Sequence, residues 1–116
     1  MSSVSNPFGV KRETTTQRDE ILQLVTFRLG AEEFGVDIHS LQGIERMQAI
    51  TRVPKAPQFV EGVINLRGQV IPVIDLRRRI GLPSAPHDKA TRIMVVQLQR
   101  KTVGFIVDAV VEIKRI

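Results

Sequence analysis

The stretch that most constrains the fold runs from residue 60 to residue 76 and reads VEGVINLRGQVIPVIDL. Two apolar runs in it, 60–66 and 70–76, are separated by a short connection that ends in Gly68. Glycine adopts positive φ angles without a Cβ clash, so this spacing predicts a β-hairpin. Both faces of each strand carry apolar residues, which is typical of strands that are covered on two sides. We therefore expect the hairpin to lie in the middle of a small β-barrel.

Arg67 lies at the tip of this predicted hairpin. General turn preferences favour the simpler interpretation, in which Arg67 is a solvated turn residue. The other interpretation is that the arginine contacts a binding partner. Composition alone favours the first.

Composition narrows the class of protein. The chain has 116 residues, which suits one domain or two very small ones. It has no cysteine, which excludes disulfides, thiolate chemistry and cysteine-ligated zinc. No apolar run approaches the roughly 18 residues of a membrane helix, and the N-terminus lacks the apolar core of a signal peptide. We expect a cytoplasmic protein without direct membrane insertion.

The basic balance leaves an alternative open. A formal net charge of +5 would suit a small basic barrel that binds nucleic acid. However, basic residues are spread thinly outside Arg77, Arg78 and Arg79, whose simplest role is a solvated face. Tyrosine and tryptophan are absent, so stacking platforms for single strands are hard to build. A nucleic-acid binder is therefore the second choice, and no nucleic-acid partner is expected under the first.

Along the chain, patterning predicts mostly strands. Residues 1–20 lack apolar periodicity and are expected to form a disordered tail. The segment 51–59, with two prolines, is a connector, residues 77–82 form a helical turn, and residues 83–90 are a linker. Besides the central hairpin, strands are predicted at 22–29, 33–37, 43–47, 93–98, 103–107 and 111–116.

An internal repeat is visible when residues 24–47 are laid on residues 93–116 with a constant offset of 69. Four of the 24 positions are identical, and eight more pair apolar residues with apolar residues. This favours a duplicated unit, although two ordinary hairpins of similar pattern stay an alternative. A duplication predicts a complete first barrel over 21–82 and a partial second barrel over 91–116.

The partial second barrel would leave a sheet edge unpaired and an apolar face uncovered. The residues expected on that face are Ile93, Val95, Phe105 and Val107. Such a surface either pairs with a second copy of the chain or stays locally unstable while residues 22–82 remain folded, and we expect self-association.

Catalytic constellations are missing from the sequence. The serines lie in the tail and in connections, without a base nearby. Glu45, Glu61 and Asp75 are scattered along strands, and no glycine-rich motif precedes a helix. His39 and His87 stand alone, without a second metal ligand at suitable spacing. We predict neither an enzyme nor a cofactor or metal site.

Three segments carry a resemblance to a known family: FRLGAEEFGVDI, TRVPKAPQFVEGVINLRGQVIPVIDLRRRIGL and VGFIVDAVVEI. They closely resemble the chemotaxis coupling protein (CheW) family over residues 22–116. The resemblance implies an all-β fold of tandem SH3-like β-barrels with short helical turns. It also implies a cytoplasmic adaptor that links chemoreceptor tips to the chemotaxis histidine kinase in membrane-associated arrays.

Two groups of site residues follow from this resemblance. The family motif falls on Asn65, Leu66, Arg67 and Gly68, and implies a receptor-coupling role for the arginine in place of the solvated-turn interpretation. The family's apolar partner positions fall on Leu41 and Ile44. Gly43 stands where the family usually has glutamate, so charge pairing at that position is not expected to follow the family.

Overall fold

The computed structural model describes residues 22–116, so the predicted tail lies outside the described residues. Within the described residues, eight strands and one short helix follow each other, and nearly all lie within two residues of the predicted bounds. A 3-10 turn at Ile38–Ser40 precedes the third strand. The elements are β1 (Gln23–Leu29), β2 (Glu32–Asp37), β3 (Leu41–Arg46), β4 (Val60–Leu66), β5 (Gln69–Asp75), α1 (Leu76–Arg79), β6 (Arg92–Leu98), β7 (Lys101–Val107) and β8 (Ala109–Arg115).

The strands form two sheets, which confirms the all-β class. One sheet has three strands in the order β2-β1-β8, and the other has five in the order β3-β6-β7-β5-β4. All neighbours are antiparallel except β5 and β7, which pair in parallel. Two parallel strands need a crossover connection, and here the chain from α1 through β6 provides it.

Strand order supports the internal repeat and shows how the repeats combine. At the offset of 69, the strands β1, β2 and β3 fall on β6, β7 and β8. Each repeat forms its own hairpin, but its third strand crosses over: β3 pairs with β6, and β8 pairs with β1. The registers of the two exchanged pairings agree. Phe27 lies opposite Val110, and the equivalent pair at the offset of 69 is Val96 opposite Leu41. Each of these pairs lies next to a register shift. The two repeats therefore exchange their third strands.

This exchange differs from the predicted division into a barrel over 21–82 and a partial barrel over 91–116. β6 and β7 lie between β3 and β5, so both halves of the chain build the five-stranded sheet. The β4–β5 hairpin lies at one end of that sheet and not in its middle. The division assumed that strands pair with their neighbours in sequence, whereas three of the pairings here join strands that are not consecutive: β1 with β8, β3 with β6 and β5 with β7.

The same pairing contradicts the predicted apolar patch of the second repeat. Ile93 and Val107 are fully buried, Val95 is 4% exposed, and Phe105 is half-buried. The strands β3 and β5 pair the edges of the β6–β7 hairpin, and the side chains are covered by apolar clusters: Ile93 and Val95 lie in one, and Val107 and Phe105 in the other. The exposed surface from which self-association was expected is therefore absent from these four positions.

Two apolar clusters hold the sheets together, and β6 contributes to both. Ile93 and Val95 point into one cluster within the five-stranded sheet, and Met94 and Val96 point into the other, between the sheets. This follows from the two-residue period of a strand. The first cluster also holds Ile64, Ile71, Val73 and Ile106, and the second also holds Val25, Phe27, Leu29, Val36, Leu76 and Val107.

The five-stranded sheet is closed by the connector that follows β3. Thr51 and Val63 exchange both backbone hydrogen bonds, at 2.9 and 2.8 Å, so the connector pairs with the outer side of β4. Gly62 makes this approach possible, because a Cβ there would lie 2.1 Å from the Thr51 carbonyl oxygen. This bridge adds the connector to the free edge of β4, as closure of the five-stranded sheet into a small barrel requires.

The three consecutive arginines of α1 have separate structural partners. Arg77 binds Asp108 through Nε and Nη2, at 2.8 and 2.6 Å. Arg78 forms an ion pair with Glu61 at 3.2 Å, and Arg79 lies 5.1 Å from the centre of the Phe59 ring. Arg77 is half-buried in its ion pair, whereas Arg78 and Arg79 are exposed. The predicted solvated face is therefore wrong for Arg77 and agrees with the exposure of Arg78 and Arg79.

Candidate functional site

The predicted coupling residues form one two-residue hairpin turn. Arg67 and Gly68 both have positive φ, at 50° and 88°, as a type I′ turn between antiparallel strands requires. The Asn65 side-chain oxygen accepts a hydrogen bond of 2.9 Å from the Gly68 N–H. Leu66 pairs with Gln69 to close the turn. The four predicted residues are therefore held in a defined shape.

The residues of this tip differ in their exposure to solvent. Leu66 is half-buried and packs against the cluster inside the barrel, while Asn65, Arg67 and Gly68 are exposed. A non-glycine residue at φ 50° is unfavourable, and asparagine or glycine is the usual choice in such a turn. Local folding therefore does not explain an arginine at this position.

The predicted apolar pair lies on one face of β3. Leu41 faces Val96 and Ile44 faces Met94, because Gln42 is an extra residue in a bulge between them. Leu41 is half-buried against the cluster between the sheets. Ile44 is 44% exposed, so it is the member of the pair that can meet a partner.

Curling of the barrel brings the hairpin tip beside β3. A cleft of about 140 Å³, which we call the seam cleft, has Leu66 and Arg67 on one wall and Gly43 and Glu45 on the other. Gly43 and Glu45 lie on the opposite face of β3 from Leu41 and Ile44, given the strand period. The tip therefore lies beside the face of β3 that carries Gly43 and Glu45, and the apolar pair lies on the opposite face. The remaining lining residues are Gln42, Gln69, Ile71, Val95 and Thr102.

Glu45 brings a carboxylate close to the position of Gly43. Its Oε2 lies 3.6 Å from where a Cβ of residue 43 would be. The sequence pattern places Glu45 on a strand and does not connect it with Arg67. It holds no signal that the two residues line one cleft, because that arrangement arises only when the two ends of the sheet approach each other.

Within residues 22–116, no group of three or more histidine, cysteine, aspartate or glutamate side chains is arranged to hold a metal ion. In the same part of the chain, no helix has the length and apolar character needed to cross a membrane. The lining of the seam cleft combines polar, charged and apolar side chains.

A family model described as a CheW-like domain matches residues 23–116. The chain belongs to the CheW-like domain family. The "Probable chemotaxis protein CheW" of Rhizobium etli is 44% identical over 91 residues, which are 78% of this chain and 59% of that CheW protein. The "Chemotaxis protein CheW" of Helicobacter pylori is 39% identical over 108 residues, which are 93% of this chain and 64% of that protein.

A solved CheW structure has the same fold. The crystal structure of the scaffolding protein TtCheW from Thermoanaerobacter tengcongensis superposes with a TM-score of 0.79 at 41% identity. The match covers 82% of this chain and 65% of that CheW chain. The chain thus spans about six tenths of the length of the CheW proteins that it matches.

Proposed function

We propose that this chain is a non-enzymatic chemotaxis adaptor, which couples chemoreceptors to the chemotaxis histidine kinase. The relatives it matches are named chemotaxis proteins, and the solved one is described as a scaffolding protein. In the proposal the chain works in the cytoplasm and is recruited to membrane-associated receptor arrays. Its partners are the cytoplasmic tips of the receptors and the kinase.

One observation supports this proposal most strongly: Arg67 occupies a turn position whose backbone angles are unfavourable for arginine. The backbone holds the residue at φ 50°, the side chain is exposed, and no ion pair within the described part of the chain occupies it. Residues held in unfavourable backbone regions cluster at sites of function. We assign receptor coupling to the tip formed by Asn65, Leu66, Arg67 and Gly68.

A second contact in the proposal involves β3. Ile44 presents an apolar side chain to the partner, and Leu41 supports it from the adjoining core. The Glu45 carboxylate, which borders the seam cleft beside Gly43, supplies the negative charge that residue 43 lacks. A partner that spans the seam cleft would meet Arg67 on one wall and Glu45 on the other.

Cosedimentation tests this function. Purified receptor signalling tips and kinase are mixed with the chain, and we expect a pelleted ternary complex whose formation falls with Arg67→Ala. A chain that binds neither protein, yet binds DNA or RNA with a strong dependence on salt, would support the nucleic-acid alternative and contradict the proposal.

A further inference from the structure

Two arginines face each other where β3 and β6 end. Arg46 is the register partner of Arg92. Side chains directly opposite on antiparallel strands have Cβ atoms about 4.5–5.5 Å apart, and two like charges there are unfavourable. In the other sheet the equivalent pair is Gln23 opposite Arg115, with a single charge. The like-charge pair therefore occurs at one of the two exchanged pairings, β3 with β6, and not at the equivalent pairing of β8 with β1.

The two arginines line a cleft of about 410 Å³, which we call the arginine cleft. The Arg92 guanidinium is fixed there, because its Nη1 donates to the carbonyl oxygens of Lys89 at 2.7 Å and Thr91 at 2.8 Å. Asp88 lies in the same cleft, but its Oδ1 accepts from the Ala90 N–H at 2.8 Å within its own loop. The remaining lining residue is Met47.

Cations outnumber carboxylates in the arginine cleft. Arg46, Lys89 and Arg92 line it together with the single acid Asp88. Among the ion pairs of residues 22–116, none involves these three cations. The cleft therefore has positive charge that the described residues leave uncompensated, and one guanidinium in it is already oriented.

The arginine cleft continues the apolar face of β3. Arg46 lies two residues after Ile44 and hence on the same face, where Ile44 is 44% exposed. A protein packed on Ile44 extends naturally to Arg46 and Arg92. Because Asp88 and Met47 are part of its lining, the cleft suits a single carboxylate better than a run of phosphates. No aromatic side chain lines the cleft for base stacking.

We infer that the arginine cleft binds an acidic side chain of a protein partner, next to an apolar residue of that partner that packs on Ile44. Arginine pairs bind carboxylates through parallel charge-assisted hydrogen bonds, which would offset the repulsion between Arg46 and Arg92. The identity of the partner rests on the proposed function, whereas the preference of the cleft for a carboxylate does not.

The cleft itself is tested with a hexaglutamate peptide added to isotope-labelled protein at low salt. We expect amide shifts confined to residue 46 and residues 88–92, and their loss in Arg46→Gln and Arg92→Gln. Arg115→Gln, at the equivalent position of the other repeat, is the matched control and should leave the shifts unchanged. Absence of localised shifts, or stronger shifts with single-stranded DNA at equal ionic strength, would overturn the inference.

The partner is then tested with kinase and receptor tips titrated separately. Ile44→Ser should weaken binding to one of these two proteins. Arg46→Gln should bind that same protein at least about tenfold more weakly than the wild-type chain does, and its binding should depend less on the salt concentration. Arg115→Gln should bind normally. Normal binding by Arg46→Gln overturns the inference while leaving the coupling function intact. If the wild-type chain binds neither protein but still shows the hexaglutamate shifts, the proposed function is wrong and the carboxylate site is supported.

Discussion

Arg77 and Asp108, which are 31 residues apart in the chain, meet in a two-pronged ion pair with distances of 2.8 and 2.6 Å. Arg77 belongs to the helix after β5, and Asp108 lies between β7 and β8. The same carboxylate accepts a 2.8 Å hydrogen bond from the N–H of Gly30, in the turn between β1 and β2. This one pair therefore ties the helix of the five-stranded sheet to the hairpin of the three-stranded sheet.

Asp108→Asn should lower the free energy of unfolding by about 1 kcal/mol at neutral pH, a value kept low because water screens this partly exposed pair. Hydrogen bonding by Arg77 holds the pKa of Asp108 below its usual range, with burial acting against it and the Gly30 N–H helping. The contribution is complete above the unfolded pKa, near 3.9, and disappears as the pH falls through the lower folded value.

Urea unfolding of both proteins between pH 7 and pH 2 checks this prediction. The difference between them should be constant down to about pH 4 and then shrink. Glu112→Gln is the control, because the Glu112–Lys114 pair is 3.7 Å long and both side chains are about half exposed. A difference that grows in acid would contradict the assigned ion pair.

Arg67 should act by contact and not through the fold. Arg67→Ala is expected to change stability by no more than about 0.5 kcal/mol, as is usual for an exposed side chain. Arg67→Gly should be neutral or stabilising, because glycine relieves the unfavourable φ of 50°. Both variants should lose receptor coupling, measured as kinase activity in reconstituted receptor complexes. Full coupling by stable Arg67→Gly would exclude the assigned role.

Barrel closure at the connector should depend on Gly62. Gly62→Ala places a Cβ 2.1 Å from the Thr51 carbonyl oxygen, which is backbone and cannot rotate away. We expect a loss of about 3 kcal/mol and faster hydrogen exchange at the amides of Thr51 and Val63. Gly35→Ala is the comparison, since its Cβ would meet only a Leu24 side-chain methyl at 3.1 Å. Equal melting of the two variants would show that the connector does not close the barrel.

Core truncations should rank by burial. Ile64 is 3% exposed inside the barrel, so Ile64→Ala should cost about 2–5 kcal/mol, as deletion of buried aliphatic groups does. Ile74 is only half-buried against the cluster between the sheets, and Ile74→Ala should cost less. Val70→Ala, at a position 63% exposed, should be nearly neutral. Thermal melts of the three variants give the order directly.

The sequence predicts the strands well because each is coded locally. The two apolar runs and the tip of Arg67 and Gly68 place the β4–β5 hairpin within one residue of its observed bounds. The exposed arginine and the apolar pair of β3 come from the family resemblance, and the structure shows which of that pair is accessible. Their coupling roles stay predictions.

Pairing between distant strands could not be predicted in the same way. The hydrophobic pattern of β3 is equally compatible with β1 or β6 as a neighbour. No local signal in the sequence therefore predicts that β3 pairs with β6. Burial of Ile93, the shared cleft of Glu45 and Arg67, and the contact of Arg77 with Asp108 all depend on pairing between strands that are not consecutive, or on the curl of the sheet. These are the places where the sequence-based predictions were wrong or silent.

The exchanged third strands also bear on how the two repeats can diverge. Two copies of a single repeat that traded third strands would form a symmetric dimer, in which every substitution appears twice. Once both repeats lie in one chain, each site can vary alone. The arginine opposite Arg46 has glutamine as its counterpart, and buried Ile106 has Asp37 as its counterpart, with one carboxylate oxygen lacking a partner in the described residues. Joining the copies therefore lets the two equivalent positions of the fold carry side chains of different charge and polarity.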